Sequence, residues 1–412
     1  MTRRFRLIFV SSSLAFVAML LVGVKLGRSA GKDDDPYKHF GVFSEVITRI
    51  KSDYVEEPDM KNVTLGALNG LLESVDPYAS YLNAEQYKQY QQAKSGPQGN
   101  VGLVLTRRFG YVAVVDSIPG SPADKAGFNT GDMLESIKGI GTRDMPLAFA
   151  EMLLLGEPGS TVEVQVLRAR KPEPEKVTLT RAAISQPQPV VNLLADNTVH
   201  IVVPSLEGAM KDAVKKGIET ANSKGAKKLV LDLRNCSTGT PETGIAVAKL
   251  FIEKGKLGHV EGQRVSKEEF NADAAQVLYK GPLAVITNRG TSAAAETLSA
   301  ALLDNKRADL IGERTFGNAA QRKALTLDDG SAVLLSVAKF YSPAGKAIQD
   351  TGVVPNYPMI EAAGGDEDPD GDGPIPPSDA SKEDQLLKKA IEVLNGVKTL
   401  AGINQDAALR KF

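Results

Sequence analysis

Residues 288–321 combine a turn, a helix and a second turn in an order that could hold a nucleophile. An apolar run at residues 283–286 is typical of a buried strand, and Gly290-Thr291-Ser292 then forms a turn with helix-capping side chains. A helix rich in Ala and Leu is predicted over residues 293–303. Backbone amides at such a helix start can stabilise an oxyanion beside a nucleophilic side chain. The same order is also ordinary α/β architecture, so the segment alone leaves both interpretations open.

A second segment, Thr315-Phe316-Gly317-Asn318, follows a short apolar strand at residues 309–311. The two segments together resemble the C-terminal processing (tail-specific) peptidases, which are membrane-linked serine–lysine proteases with a PDZ domain. That family carries its nucleophile in a G-T-A-S-A-S-E type motif and its lysine in T-F-G-K-G. The alignment places Ala293 at the nucleophile position and Asn318 at the lysine position, with the family's own spacing between them. The resemblance therefore implies a member without the catalytic pair.

The same resemblance assigns an oxyanion loop to residues 234–239, which read R-N-C-S-T-G where the family has R-N-N-P-G-G. Gly239 and Ala294 remain as oxyanion residues, whereas Thr238 replaces a glycine. A positive φ at position 238 would strain a β-branched residue, so we expect an altered loop. The family's glutamine after the lysine aligns with Arg322 better than with Gln321.

A serine–lysine peptidase needs a hydroxyl nucleophile and a neutral lysine base, and neither alanine nor asparagine can replace them. The alternative is a working endopeptidase with relocated residues, in which Ser292 acts one place out of register, with Lys323 as a candidate base. One residue near a helix start rotates the side chain by about 100°, so we expect Ser292 to cap the helix instead. No spacing supports a thiol pair of Cys236 with His200 or His259.

Residues 97–184 resemble the PDZ domain of the family and would hold its ligand. A glycine-rich loop and the strand after it are expected to bind a peptide's C-terminal carboxylate and to add the peptide to the sheet edge. An amphipathic helix at residues 145–155 supplies the opposite wall. The predicted peptide-binding residues are Gly102, Leu103, Val104, Leu105, Leu147, Met152 and Leu155. A small β-domain without a ligand, or an internal latch, is the alternative.

Residues 1–30 are predicted to form a cytoplasmic tail and signal anchor. Arg3, Arg4 and Arg6 precede the apolar residues 7–24, which are long enough to span a bilayer. The basic flank predicts that the N-terminus stays in the cytoplasm and that the rest is exported. A single-pass protein of the inner membrane with a periplasmic bulk is therefore expected, and a cleaved signal peptide is the alternative.

The remaining segments complete the predicted organisation. Residues 37–95 read as helices, including a turn and helix start at residues 76–82, and the α/β core is placed at residues 190–360. An acidic Pro/Gly linker at 361–380 contains a weak calcium-loop candidate, which consists of Asp368, Asp370, Asp372 and Asp379. A solvated linker is the favoured interpretation. Residues 381–412 are predicted to form a C-terminal helix and tail, whose apolar face packs on the core or on a second subunit.

Composition limits the class of protein. The chain has 412 residues, a formal net charge of −1 and 42% hydrophobic residues, which indicate a multi-domain globular protein without a nucleic-acid surface. Its single cysteine excludes an internal disulfide. The predicted fold class is multi-domain α/β: an N-terminal transmembrane helix, a helical segment, a β-rich PDZ domain and a ClpP/crotonase-like α/β peptidase core. No cofactor is expected. A polypeptide C-terminus or partner protein is the expected ligand, and a homo-oligomer is compatible with these features.

Overall fold

The computed structural model describes residues 36–95, 99–168, 171, 173–360 and 384–396. The chain divides into two units, residues 1–65 and 66–412. The predicted membrane anchor at 7–24 and the calcium-loop candidate at 368–379 lie outside the described residues. Within the described residues, no helix is both long and apolar enough to cross a membrane.

The helices and strands alternate along most of the second unit. The helices are α1 (Pro36–Asp53), α2 (Met60–Glu73), α3 (Ala84–Ser95), α4 (Pro122–Lys125), α5 (Leu147–Leu154), α6 (Met210–Ser223), α7 (Pro241–Ala248), α8 (Ala294–Asp304) and α9 (Gln385–Leu394). The strands of the first half are β1 (Ser80–Leu82), β2 (Leu103–Arg108), β3 (Tyr111–Ser117), β4 (Met133–Ile137), β5 (Ile140–Gly141), β6 (Thr161–Leu167) and β7 (Glu175–Thr180). Those of the second half are β8 (Val190–Leu193), β9 (Thr198–Val202), β10 (Lys228–Asp232), β11 (Lys256–Gly262), β12 (Val265–Asn271), β13 (Leu283–Thr287), β14 (Asp309–Gly312), β15 (Ala320–Thr326), β16 (Ala332–Tyr341) and β17 (Tyr357–Pro358).

The predicted PDZ region folds as an antiparallel sheet in the order β2-β3-β4-β6-β7, with β5 paired to β4. Strand β6 alternates buried and half-buried residues, as expected for a sheet with one face on a core. That core includes Val112, Leu134 and Val164, and α5 packs against it through Leu147 and Ala150. Strand β2 lies at the edge of the sheet, and its outer edge faces the cavity described below.

The core of the second half is a sheet in the order β17-β14-β13-β10-β9-β8, parallel except for β8. Both faces are covered, which explains the unbroken apolar runs of β10 and β13. On one face Leu229 and Leu231 pack in the cluster that includes residues of α6, α7 and α8. On the other face Val230 packs with Leu386 and Ala390 of α9. The C-terminal helix thus packs on the core of its own chain.

A third sheet follows the order β1-β16-β11-β12, with β15 also paired to β16. Strand β1 corrects the prediction of a helix start in residues 76–82, because Ser80 to Leu82 pair antiparallel with β16 instead. The amide of Ser336 in β16 donates to Asp76 Oδ2 at 3.0 Å, which holds the preceding turn against the same strand. An open strand edge far away in sequence decides the conformation of this segment.

Candidate functional site

The start of α8 has an unusual backbone. Ala293, its N-cap residue, has φ 52° and ψ −113°, a conformation that L-residues rarely adopt. Such a residue costs on the order of 1–3 kcal/mol and persists only when its surroundings hold it. The amide of Ser292 donates to the Cys236 carbonyl at 3.0 Å, and the amide of Phe316 donates to the Thr291 carbonyl at 2.9 Å. Both hydrogen bonds hold the turn that leads into α8.

Ser292 does not cap the helix, contrary to the prediction. The cap position belongs to Ala293, and the Ser292 side chain is fully buried. Its Oγ has no hydrogen-bond partner in the described part of the chain. Lys323, the candidate base, is exposed on β15, opposite Leu335 of β16. The structure therefore does not bring Ser292 and Lys323 into a hydrogen-bonded pair.

Glu296 joins the two positions that the resemblance assigns to catalysis. Its carboxylate is fully buried and accepts four hydrogen bonds. Oε2 accepts from the amides of Ala293 at 3.1 Å and Asn318 at 2.7 Å. Oε1 accepts from Thr315 Oγ1 at 2.5 Å and from the Gly317 amide at 2.6 Å. Burial raises the pKa of Glu296 to about 7, against these hydrogen bonds, which favour the charged form.

The side chain of Asn318 is engaged by Arg322. Asn318 Oδ1 accepts a hydrogen bond from Arg322 Nη2, and the guanidinium carbon lies 3.9 Å from the centroid of the Tyr78 ring. No ion pair of Arg322 is present among the described residues. Burial raises the pKa of the Tyr78 hydroxyl. We refer to Ala293, Glu296, Asn318 and Arg322 as the Ala293–Asn318 site.

In the loop after β10, the backbone amide of the glycine is hydrogen-bonded to a carboxylate of the same chain. The amide of Gly239 donates to Glu207 Oε2 at 2.9 Å. A Cβ at this position would lie 2.4 Å from the Leu206 carbonyl oxygen, so only glycine fits. Positive φ occurs at Asn235 and Gly239 and not at Thr238, which corrects the expected strain at 238. Thr238 Oγ1 is instead hydrogen-bonded to Ser205 Oγ at 2.8 Å.

One buried hydrogen bond connects this loop to the predicted PDZ region. Ser237 Oγ donates to Asp116 Oδ2 of β3 at 2.9 Å, and both residues are buried. Burial raises the pKa of Asp116 to about 7, while the hydrogen bonds from Ser237 and from the Ser117 amide oppose the rise. The hydrogen bond that joins this loop to the β2–β3 hairpin thus involves a carboxyl group whose pKa is raised to about 7.

The Ala293–Asn318 site and the predicted peptide groove line one cavity of about 620 Å³. The apolar lining residues from the predicted PDZ region belong to β2, to α5 and to the residue after α5: Leu103, Val104, Leu105, Leu147, Leu154 and Leu155. The cavity is also lined by Tyr78, Ser237, Gly239, Ala293, Asn318 and Arg322. Gly102 and Met152, although predicted for the groove, do not line this cavity.

The predicted carboxylate loop also has an internal acceptor. Asn100 Oδ1 accepts hydrogen bonds from the amides of Val101 at 2.6 Å and Gly102 at 3.1 Å. Both amides lie in the loop that is predicted to bind the carboxylate of a ligand. Gly102 has φ +83°, and a Cβ there would lie 2.2 Å from Ser121 Cβ, so the glycine is required by close packing of the loop.

The structure does not form the candidate thiol pair. Cys236 is buried, and burial raises the pKa of its thiol. His200 Nε2 lies 3.0 Å from Asp232 Oδ2, and His259 stacks on Tyr341 with ring centroids 4.6 Å apart. Within the described residues no hydrogen bond joins the Cys236 thiol to either histidine.

None of the sequence predictions above names Glu207, Asn100, Asp116 or Glu296. Glu296 stands three residues after the N-cap, the position from which a glutamate caps the first amide of a helix, so a capping motif could have revealed it. Glu207 and Asp116 bind partners far away in the chain, whereas Asn100 accepts from the amides of the next two residues, which is a local turn pattern of this residue type. Among the described residues, no group of three or more side chains of the His, Cys, Asp and Glu types could hold a metal ion.

An antiparallel domain with an edge strand beside a shared cavity, joined to a parallel α/β core with a strained helix start, defines a PDZ-containing protein of the peptidase type. Residues 114–168 match the PDZ domain, and residues 197–359 match peptidase family S41. The chain belongs to this family of carboxy-terminal processing proteases.

Two relatives and one solved structure illustrate the similarity. The carboxy-terminal processing protease CtpA of Bacillus subtilis (strain 168) is 32% identical over 364 residues, covering 86% of this chain and 77% of that protein. The carboxyl-terminal-processing protease of Picosynechococcus sp. is 32% identical over 298 residues, 71% of each chain. The structure of a photosystem II D1 C-terminal processing protease superposes with a TM-score of 0.66 at 26% identity, covering 78% of this chain and 88% of that one.

Proposed function

We propose that this chain is a non-catalytic member of the family that binds polypeptide C-termini. The proposal depends on one observation, which is that Ala293 and Asn318 are hydrogen-bonded to the same carboxylate oxygen, Glu296 Oε2. Ala293 and Asn318 both donate their amides to this oxygen and both line the cavity, where the resemblance requires a nucleophile and a base. The side chains present at these positions can perform neither role.

The surrounding groups support the same conclusion. The cation hydrogen-bonded to Asn318 is Arg322, and a guanidinium carries N–H donors without an acceptor, so it cannot act as a general base. The amide of Gly239, which would stabilise an oxyanion, already donates to Glu207. A substrate carbonyl would have to displace this carboxylate before any stabilisation could begin.

Binding is supported by the groove. Strand β2 ends its sheet, so its outer edge can pair with an extended peptide by β-augmentation. The leucines that line the cavity suit apolar side chains of the ligand. The names of the relatives refer to carboxy-terminal processing, which agrees with polypeptide C-termini as the ligand class. Binding without cleavage is expected in the micromolar class, around −8 kcal/mol.

Cleavage assays test the loss of catalysis. The purified chain is expected neither to cleave unstructured substrates with apolar C-termini nor to react with serine-directed probes. Ala293→Ser should stay inactive for want of a base. Ala293→Ser with Asn318→Lys should recover little, because Thr238 and Ala319 still replace the family's glycines.

Cleavage by the unmodified chain that disappears in Ser292→Ala would contradict the proposal and favour the relocated endopeptidase. Cleavage that persists in Ser292→Ala and disappears in Cys236→Ala would instead point to the thiol. The fully buried, unpartnered Ser292 hydroxyl makes neither outcome expected.

A matched pair of variants tests the groove. Leu155→Glu places a charge on the cavity wall and should weaken binding of a peptide with an apolar C-terminus by about tenfold or more. Met152→Glu, in α5 but outside the cavity lining, should bind like the unmodified chain. Equal loss in both variants would contradict the assigned groove.

We further propose that residues 7–24 anchor the protein in the inner membrane, with the bulk of the chain in the periplasm. The proposal is supported by the basic residues before the apolar run. Carbonate washing should leave the protein in the membrane fraction, and protease added to spheroplasts should degrade it. Recovery of a shortened, soluble chain would indicate a cleaved signal peptide instead.

A further inference from the structure

The cavity contains a cation that the described residues leave without a counterion. Arg322 lines the wall next to Asn318, packs over Tyr78 and forms no ion pair among the described residues. Its hydrogen bond to Asn318 Oδ1 involves Nη2, and a guanidinium has further N–H groups that can donate. An unneutralised guanidinium in a groove is suited to a planar anion, above all a carboxylate bound through two parallel hydrogen bonds.

The two other sites for a ligand carboxylate are already engaged by the chain itself. In the predicted carboxylate loop, the amides of Val101 and Gly102 donate to Asn100 Oδ1. In the loop after β10, the amide of Gly239 donates to the Glu207 carboxylate. Arg322, an exposed side chain, is therefore the cationic lining group that can still donate to a ligand carboxylate.

The rest of the lining selects the kind of anion. The carboxylate of Glu242 also lines the cavity and repels a multiply charged group such as phosphate more strongly than a singly charged one. The leucines of β2 and α5 provide apolar surface for the side chains that precede a terminal carboxylate. A singly charged carboxylate on an apolar peptide satisfies both conditions.

We propose that Arg322 binds the C-terminal carboxylate of the ligand, so that the peptide ends in the Ala293–Asn318 site and not in the loop at residues 100–102. The ligand class is a polypeptide with a free C-terminus and apolar terminal side chains. This inference rests on the proposed peptide-binding function and assigns the position of the carboxylate within it. The site then binds the kind of C-terminus that peptide hydrolysis generates, although this chain does not catalyse the hydrolysis.

The test uses the full chain and a fluorescent peptide of about ten residues ending in Leu-Val, prepared as the free acid and as the amide. The unmodified chain should bind the acid about tenfold more tightly than the amide, because charge-assisted hydrogen bonds are lost on amidation. Arg322→Gln should reduce acid binding to the level of the amide and leave amide binding unchanged. Unchanged amide binding also shows that the variant is folded. Arg322→Lys, which keeps the charge but loses the planar fork, should lie between them.

Asn100→Ala separates the two carboxylate positions. It frees the amides of Val101 and Gly102, and our inference expects no change in the preference for the acid. A stronger preference in Asn100→Ala, or a full preference retained in Arg322→Gln, would place the carboxylate in the loop and overturn the inference while preserving the proposed function. Equal binding of acid and amide by the unmodified chain would also overturn it. A chain that binds neither peptide would contradict the proposed function, and this inference with it.

Discussion

Asp116→Asn should make the protein more stable at pH 8 and remove part of its pH dependence. The Asp116 carboxyl is 5% exposed, and burial raises its pKa from the ordinary 3.8 to about 7. The folded protein therefore keeps a proton on Asp116 at pH values where the unfolded chain has released it. The stabilisation by this proton is complete below pH 3.8 and is lost progressively as the pH rises to about 7.

The size of the effect follows from the two pKa values. Each pH unit between them is worth about 1.4 kcal/mol, so the loss at pH 8 is about 4 kcal/mol. Asparagine carries no charge and can keep both contacts: its oxygen accepts from the Ser117 amide and its amide donates to Ser237 Oγ, whose hydroxyl rotates to accept. The advantage of Asp116→Asn over the unmodified chain should widen by about 2–3 kcal/mol between pH 5 and pH 8.

Urea denaturation at four pH values between 5 and 8 measures this difference. The chain has no tryptophan, so far-UV circular dichroism is the suitable signal. Asp328 is an exposed carboxylate in the turn between β15 and β16, and Asp328→Asn serves as the matched control. Its free energy of unfolding should differ from that of the unmodified chain by the same amount at every pH. Ser237→Ala removes a hydrogen bond that lowers the pKa of Asp116, so its stability should continue to fall above pH 7. A gap between Asp116→Asn and the unmodified chain that stays constant with pH would refute the reasoning.

Four further variants probe packing and strain, and each is measured by urea denaturation. Gly244→Ala should destabilise by about 2–3 kcal/mol, since its Cβ would lie 1.9 Å from the Ala294 carbonyl oxygen between α7 and α8; Gly66→Ala in α2, with open space around it, should instead stabilise by up to about 1 kcal/mol. Leu386→Ala should cost about 2–5 kcal/mol, because this fully buried side chain attaches α9 to the sheet; an unchanged midpoint would mean that α9 does not pack there. Ala293→Gly should stabilise by about 1 kcal/mol, since glycine tolerates φ 52° and relieves strain that exceeds its own entropic cost; a loss of stability would contradict this.

Much of the local structure is determined by the sequence alone. The apolar runs of β10 and β13 predict buried parallel strands because both faces of such a sheet are covered. The turn Asp329-Gly330 predicts the hairpin of β15 and β16, since the positive φ of 81° at Gly330 is accessible to glycine at little cost. The alignment of Ala293 and Asn318 also depends only on motif order, and the structure places both on one oxygen of Glu296.

The tertiary structure alone decided which polar groups meet. Asp116 and Ser237 are 121 residues apart in the chain, and Glu207 and Gly239 are 32 apart, so no local pattern distinguishes these carboxylates from solvated ones. Ser292 has the residue type and the position of a helix cap, yet the strained Ala293 takes the cap position and buries the serine hydroxyl without a partner. Strand β1 forms because β16 offers it an edge, although its own residues favour no strand by pattern. Propensity and periodicity act over a few residues, whereas burial, desolvation and the pairing of distant groups depend on which segments the folded chain brings together.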